Sequence, residues 1–112
     1  MLFIKISGLR PSLGDSILIK KKMINIFSIE QKKVNIIYSA GAPRRGKAFN
    51  DGCILVEIFL QKKKERTKNV LDNLCSEVRH FFSDMYSTSS VKFIVIAIPQ
   101  DDNEIGYSAI EY

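Results

Sequence analysis

The most motif-like stretch of this 112-residue chain is Gly41-Ala42-Pro43-Arg44-Arg45-Gly46-Lys47-Ala48, which has the Gly-x4-Gly-Lys spacing of loops that cradle phosphates. Such a loop also needs a Ser or Thr hydroxyl for magnesium and a helix whose first amides face the phosphates. Ala48 supplies no hydroxyl, and Phe49-Asn50-Asp51-Gly52 leaves no room for a useful helix before the next apolar run. Nucleotide hydrolysis is therefore not expected. A basic loop remains, in which Arg44, Arg45 and Lys47 have the chemistry to meet an anion.

The other reactive residue types stand apart. His80 is the single histidine, beside Phe81 and Phe82 in a helical pattern, with no serine or cysteine that spacing places next to it, so it reads as a surface or packed histidine. Cys53 and Cys75 lack a Cys-x-x-Cys spacing and histidine neighbours, which excludes a disulfide scaffold and a standard zinc site, and both read as small core residues. Asp101, Asp102 and Glu104 form an acidic cluster without a second matching set, expected to be a solvated turn. No catalytic residue, metal site or cofactor is expected from these groups.

The elements that must position them follow from periodicity. Leu2 to Ser7 alternates as a strand, and Gly8 and Pro11 stop it. Ser12 to Ser16 hold several cap candidates, Asp15 or Ser16 among them, for a helix running to about Phe27, with Ile19, Met23, Ile26 and Phe27 on one stripe and Lys20-Lys21-Lys22 largely outside it. Ser28 to Gln31 suits one short capped turn. Val34 to Ser39 is a second strand, the loop 40–52 follows, and Cys53 to Leu60 is a nearly continuous apolar strand expected to be covered on both faces or buried at an interface. A second helix spans about Glu65 to Tyr86, and Val91 to Ile98 is a strand ended by Pro99. The acidic tail holds a short possible strand at Ser108 to Tyr112.

The length suits one domain, residues 1–112, and the composition is ordinary for a globular protein. Net charge is +5, gathered in Lys20-Lys21-Lys22, Lys32-Lys33 and Lys62-Lys63-Lys64-Glu65-Arg66, a pattern expected mainly on solvated faces. The start, Met1-Leu2-Phe3-Ile4-Lys5, lacks the features of a secretory leader, and no apolar run approaches the roughly 20 residues of a membrane helix. A cytoplasmic protein with no membrane partner is expected.

The order strand-helix-strand, loop, strand-helix-strand fits an α/β (α+β) domain of two βαβ halves, with four strands in one mixed sheet and two helices on one face. It also fits a ferredoxin-like sandwich, whose nucleic-acid-binding members place aromatics on the central strands. Only Phe59 and Phe93 stand in the last two strands, so nucleic acid is an unlikely partner.

Several stretches resemble an uncharacterised bacterial family within the tautomerase superfamily, relatives of macrophage migration inhibitory factor and oxalocrotonate tautomerase. They are Met1-Leu2-Phe3-Ile4-Lys5-Ile6-Ser7-Gly8, the strand Val56-Glu57-Ile58 before Phe59-Leu60-Gln61-Lys62-Lys63, the strand Val91 to Ile98, and the end Glu111-Tyr112. Where the family begins Met-Pro, this chain has Leu2, and Phe59 to Lys63 stands where the family shows an aromatic and an Asp-Arg pair. The resemblance implies a homotrimer and a pocket at the amino terminus, with Met1, Leu2, Lys33, Arg44 and Arg45 able to surround a small carboxylate. It also implies chemistry carried by an amino-terminal proline whose secondary amine shuttles a proton beside a carbonyl. Leu2 replaces that proline and, being bulky, is expected to keep Met1 in place. The expected function is thus a homo-oligomeric binding or structural protein without proline-dependent turnover. A ferredoxin-like binding module and a divergent isomerase of a small keto acid are the alternatives.

Overall fold

The computed structural model describes residues 2–39, 53–87 and 91–101. Their elements are β1 (Leu2–Ser7), α1 (Leu13–Phe27), a 3-10 turn (Gln31–Lys33), β2 (Val34–Ser39), β3 (Cys53–Gln61), α2 (Lys68–Met85) and β4 (Lys92–Gln100). One four-stranded sheet runs β2-β1-β3-β4. Within each half the two strands are direct neighbours, with Leu2 opposite Val34 and Ile54 opposite Phe93, and parallel, as the helical crossover between them allows. The halves meet antiparallel along β1 and β3, where Ile4 faces Ile58 and Ile6 faces Val56. A ferredoxin-like sheet inserts a strand between the two partners of each crossover. Here the partners touch, so that alternative does not describe this chain.

Period-two alternation decides which side of the sheet is covered. Leu2, Ile4, Ile6, Val34, Ile54, Val56, Ile58, Leu60 and Phe93 share one face and are buried with Ile19 and Met23 of α1 and Val78 and Phe82 of α2. Both helices therefore lie on the same face, as the apolar stripes predict. Each fully buried aliphatic or aromatic side chain stabilises by roughly 1.5–3 kcal/mol, so this layer is the main source of stability. The opposite face carries Phe3, Lys5, Ile37, Leu55, Glu57, Phe59, Ile94, Ile96 and Ile98. Nothing in the described residues covers it, and Ile37, Ile94 and Ile96 are 60%, 37% and 43% exposed. Of the two expectations for β3, cover on both faces is not met within the described residues, where its burial alternates residue by residue.

The two helices hold to the sheet differently. α2 is capped by Thr67, whose Oγ1 accepts from the Val70 amide at 3.3 Å, and begins at Lys68 rather than Glu65. Phe82 stacks on Phe93 at 5.4 Å and meets Phe81 edge-on at 5.3 Å, while Tyr86 stacks on Phe93 at 6.0 Å. α1 is capped by Ser12, which accepts from the Asp15 amide at 3.1 Å, and not by Asp15 or Ser16. Asp15 instead accepts a hydrogen bond from the Tyr86 hydroxyl at 3.2 Å, tying the start of α1 to the end of α2. Ser28 closes α1 in the left-handed conformation, φ 51°, so it ends this helix rather than capping the next turn.

Two strand ends need special residues. Gly8 takes φ 94°, open to glycine alone among common residues, and donates to the Ser39 carbonyl at 2.8 Å, locking the ends of β1 and β2 together. Pro99 does not end β4; it sits within it opposite Leu60. β4 is an edge strand, where a proline that cannot donate costs the ladder little. Among the described residues, no helix is long and apolar enough to cross a membrane.

Candidate functional site

Three places could carry function: the amino-terminal end of β1, the groove between the helices, and a cleft between α1 and β2. Register places two of the sequence-derived residues, Leu2 and Lys33, at the first. Leu2 opens β1 with its side chain 2% exposed and faces Val34, so the residue before that partner, exposed Lys33, flanks this end of the sheet. On the other side β3 ends at Gln61, whose carbonyl accepts from Arg66 Nη1 at 2.6 Å, and the Lys62 amide donates to the Gln100 carbonyl at 2.8 Å. Leu2 and Lys33 are thus brought to one end. Met1, Arg44 and Arg45 lie outside the described residues, as do Lys47, the Gly-x4-Gly-Lys stretch, Asp102, Glu104 and the possible strand at Ser108 to Tyr112.

The groove between α1 and α2 has a volume of about 930 Å³. Leu18, Ile26, Phe81 and Met85 give it an apolar floor, and its charges balance: Lys21 and Lys22 on α1 against Glu77 and Asp84 on α2. His80 lines it and is exposed, in keeping with the surface reading.

The cleft, about 320 Å³, runs between α1, the 3-10 turn and β2. Tyr38, the inward-facing residue near the end of β2, lines it together with Ile36, Ile17, Ile24 and Lys20. The Tyr38 hydroxyl is buried and has no hydrogen-bond partner among the described residues, and burial pushes its pKa from 10.0 to about 12. Tyr86 is also raised, by burial first and then by the neighbouring Asp15 carboxylate. The alternation of the strand puts Tyr38 on one face with Val34 and Ile36 and by itself assigns it no role. The available signal was that an inward tyrosine must find a partner for its hydroxyl.

The cysteines divide. Cys53, expected in the core, is exposed at the head of β3, because the first residue of that strand falls on the uncovered face. Cys75 is half-buried; burial pushes its thiol above the ordinary range, against a hydrogen bond with the Ala97 backbone, so little thiolate is present near neutral pH. Asp101 pairs with Lys62 at 3.6 Å on the surface. Among the described residues no group of His, Cys, Asp or Glu has the arrangement of a metal site. Phe93 is buried beneath Phe82, so of the two sheet aromatics weighed for nucleic acid only Phe59 is on the open face.

The topology is consistent with a tautomerase-like fold, and solved structures match it over nearly the whole chain. One is N1, of the cis-3-chloroacrylic acid dehalogenase family, with a TM-score of 0.66 and 12% identity over 96% of this chain and 82% of its own. A domain of unknown function from Sebaldella termitidis has a TM-score of 0.63 and 10% identity, covering 100% of both chains. Macrophage migration inhibitory factor from Toxoplasma gondii has a TM-score of 0.62 and 11% identity over 98% of this chain and 99% of its own. No family profile and no curated protein sequence matches the chain. At such identities the likeness concerns the fold.

Proposed function

We propose that the chain is the subunit of a homotrimer with the tautomerase fold, without proline-dependent turnover, that works by binding or assembly. The observation that carries this reading is Leu2. Proton shuttling of the tautomerase kind needs the secondary amine of a proline at this position, whereas here an aliphatic side chain points into the core, 2% exposed, against the start of β2. The uncovered sheet face supports the assembly: an apolar face of this extent on a small domain is what copies of a chain bury against one another. A trimer carries three times the +5 of one chain, a repulsion tolerated because Lys21, Lys32 and Lys62 to Lys64 are exposed to solvent. Lys33, at the same end of the sheet as Leu2, is a cation for a small carboxylate there, with Arg44 and Arg45 as further candidates.

The test is keto-enol turnover of phenylpyruvate by the chain as it stands and by Leu2→Pro. The unaltered chain is expected to show none above background. Leu2→Pro, once its methionine is removed, regains a base whose contribution is typically about 10²–10⁴-fold if the surrounding pocket is intact. Turnover by the unaltered chain that is abolished by blocking its amino terminus would overturn the reading.

A further inference from the structure

The cleft between α1 and β2 shares no residue with the Leu2 end or the open sheet face, and three of its features point to one class of ligand. The first is the Tyr38 hydroxyl, buried with no hydrogen-bond partner among the described residues although buried tyrosines ordinarily find one. The second is the wall, where Ile17, Ile24 and Ile36 present aliphatic surface. The third is charge of a single sign. Lys20 and Lys21 line the cleft and no carboxylate does, in contrast to the groove between the helices, where Glu77 and Asp84 answer the lysines. Two carboxylates stand near its ends and outside its lining: Glu30 shares an adjoining hollow with Lys20 and Gln31 and lies 3.9 Å from Lys32, and Asp15 accepts from Tyr86 at 3.2 Å. A single water could satisfy the hydroxyl, but a cleft of about 320 Å³ has room for several times the ~30 Å³ share of one water and lies at the lower end of the range of small-molecule sites.

We propose that this cleft binds a small aliphatic carboxylate, its hydrocarbon body lying against Ile17, Ile24 and Ile36 and its carboxylate held by the Lys20 ammonium and the Tyr38 hydroxyl. The phenol is suited to this because burial keeps it protonated to about pH 12, so it donates throughout the physiological range. The ammonium supplies the charge-assisted partner, and the dry aliphatic walls strengthen both contacts.

Hexanoate is the probe, added to the intact chain and followed by the isoleucine methyl and tyrosine ring resonances, with hexanol and hexylammonium as controls. Saturable shifts are expected at Ile17, Ile24, Ile36 and Tyr38 with hexanoate, weaker ones with hexanol and none with hexylammonium. Tyr38→Phe should weaken binding about fivefold, the loss of one hydrogen bond, and Lys20→Gln by at least as much, the loss of a charged partner. Lys20 is only partly buried, so Lys20→Gln keeps the test open should Tyr38→Phe fold poorly. The proposal is overturned by the absence of a saturable shift, by equal binding of hexanol and hexanoate, by indifference to Lys20→Gln, or by shifts confined to Leu18, Phe81 and Met85 of the other groove. None of these outcomes bears on Leu2, so failure here leaves the proposed function standing.

Discussion

The two faces of the sheet are built from the same residue types and meet different fates. Beneath the helices, Ile4, Ile6, Val56 and Ile58 are at most 1% exposed. On the other side Leu55 and Phe59 are half-buried, and Ile37, Ile94 and Ile96 stand open to solvent. Lys5 and Glu57, opposite each other across β1 and β3, are the charged pair in the middle of that open face. A sheet meant to meet water on one side alternates apolar with polar residues. Along β3 and β4 this one alternates mostly apolar with apolar, whereas β1 and β2 turn Lys5, Ser7, Asn35 and Ser39 to the open face. Composition alone does not say which apolar residues lie on the second face; the fold does.

The sharpest separation of the faces comes from Phe82→Ala. Phe82 is fully buried and stacked on Phe93 at 5.4 Å, so its loss should cost about 3–5 kcal/mol in urea unfolding. A loss below about 1 kcal/mol would mean that the aromatic stack does not anchor α2. The cap comes next: Thr67→Ala should cost about 1 kcal/mol, because the Val70 amide loses its acceptor while the buried face of α2 is untouched.

A smaller effect is expected in alkali. The Tyr38 phenol has a folded pKa of about 12 against 10.0 for the free group, so the unfolded chain releases its proton first as pH rises. The stability this group confers is therefore intact below about pH 10 and is lost progressively towards about pH 12. Tyr38→Phe should flatten the fall across that window, as measured by urea midpoints at stepped pH; an unchanged slope would show that the hydroxyl is solvated. Smallest for the subunit itself is Ile96→Glu. The side chain is 43% exposed on the open face, so subunit unfolding should change by no more than about 0.5 kcal/mol, whereas three charges brought together in an interface should split the assembly.

Much of this fold was legible in the chain. The alternation of Leu2, Ile4 and Ile6 and of Val34, Ile36 and Tyr38 set the bounds of β1 and β2, and the long apolar stripe of α2 placed its buried face. Strand order was not legible, because periodicity reports which face is buried and not which neighbour is paired. For the same reason Pro99 was read as a strand end; only a known edge position shows that its missing donor is harmless. Ser12, Asp15 and Ser16 offer similar acceptors, and the path of the preceding loop decides that Ser12 caps while Asp15 reaches Tyr86. Leu2 at the head of β1 was readable directly. The cleft was not, since the orphan state of the Tyr38 hydroxyl depends on what α1 fails to bring near it.

The central claim, that the open face is where copies of this chain meet, is tested most directly by sedimentation equilibrium of the unaltered protein at micromolar concentration. A single species of three times the 12.8 kDa chain mass is the expected result, and a species at 12.8 kDa with no heavier form would contradict it.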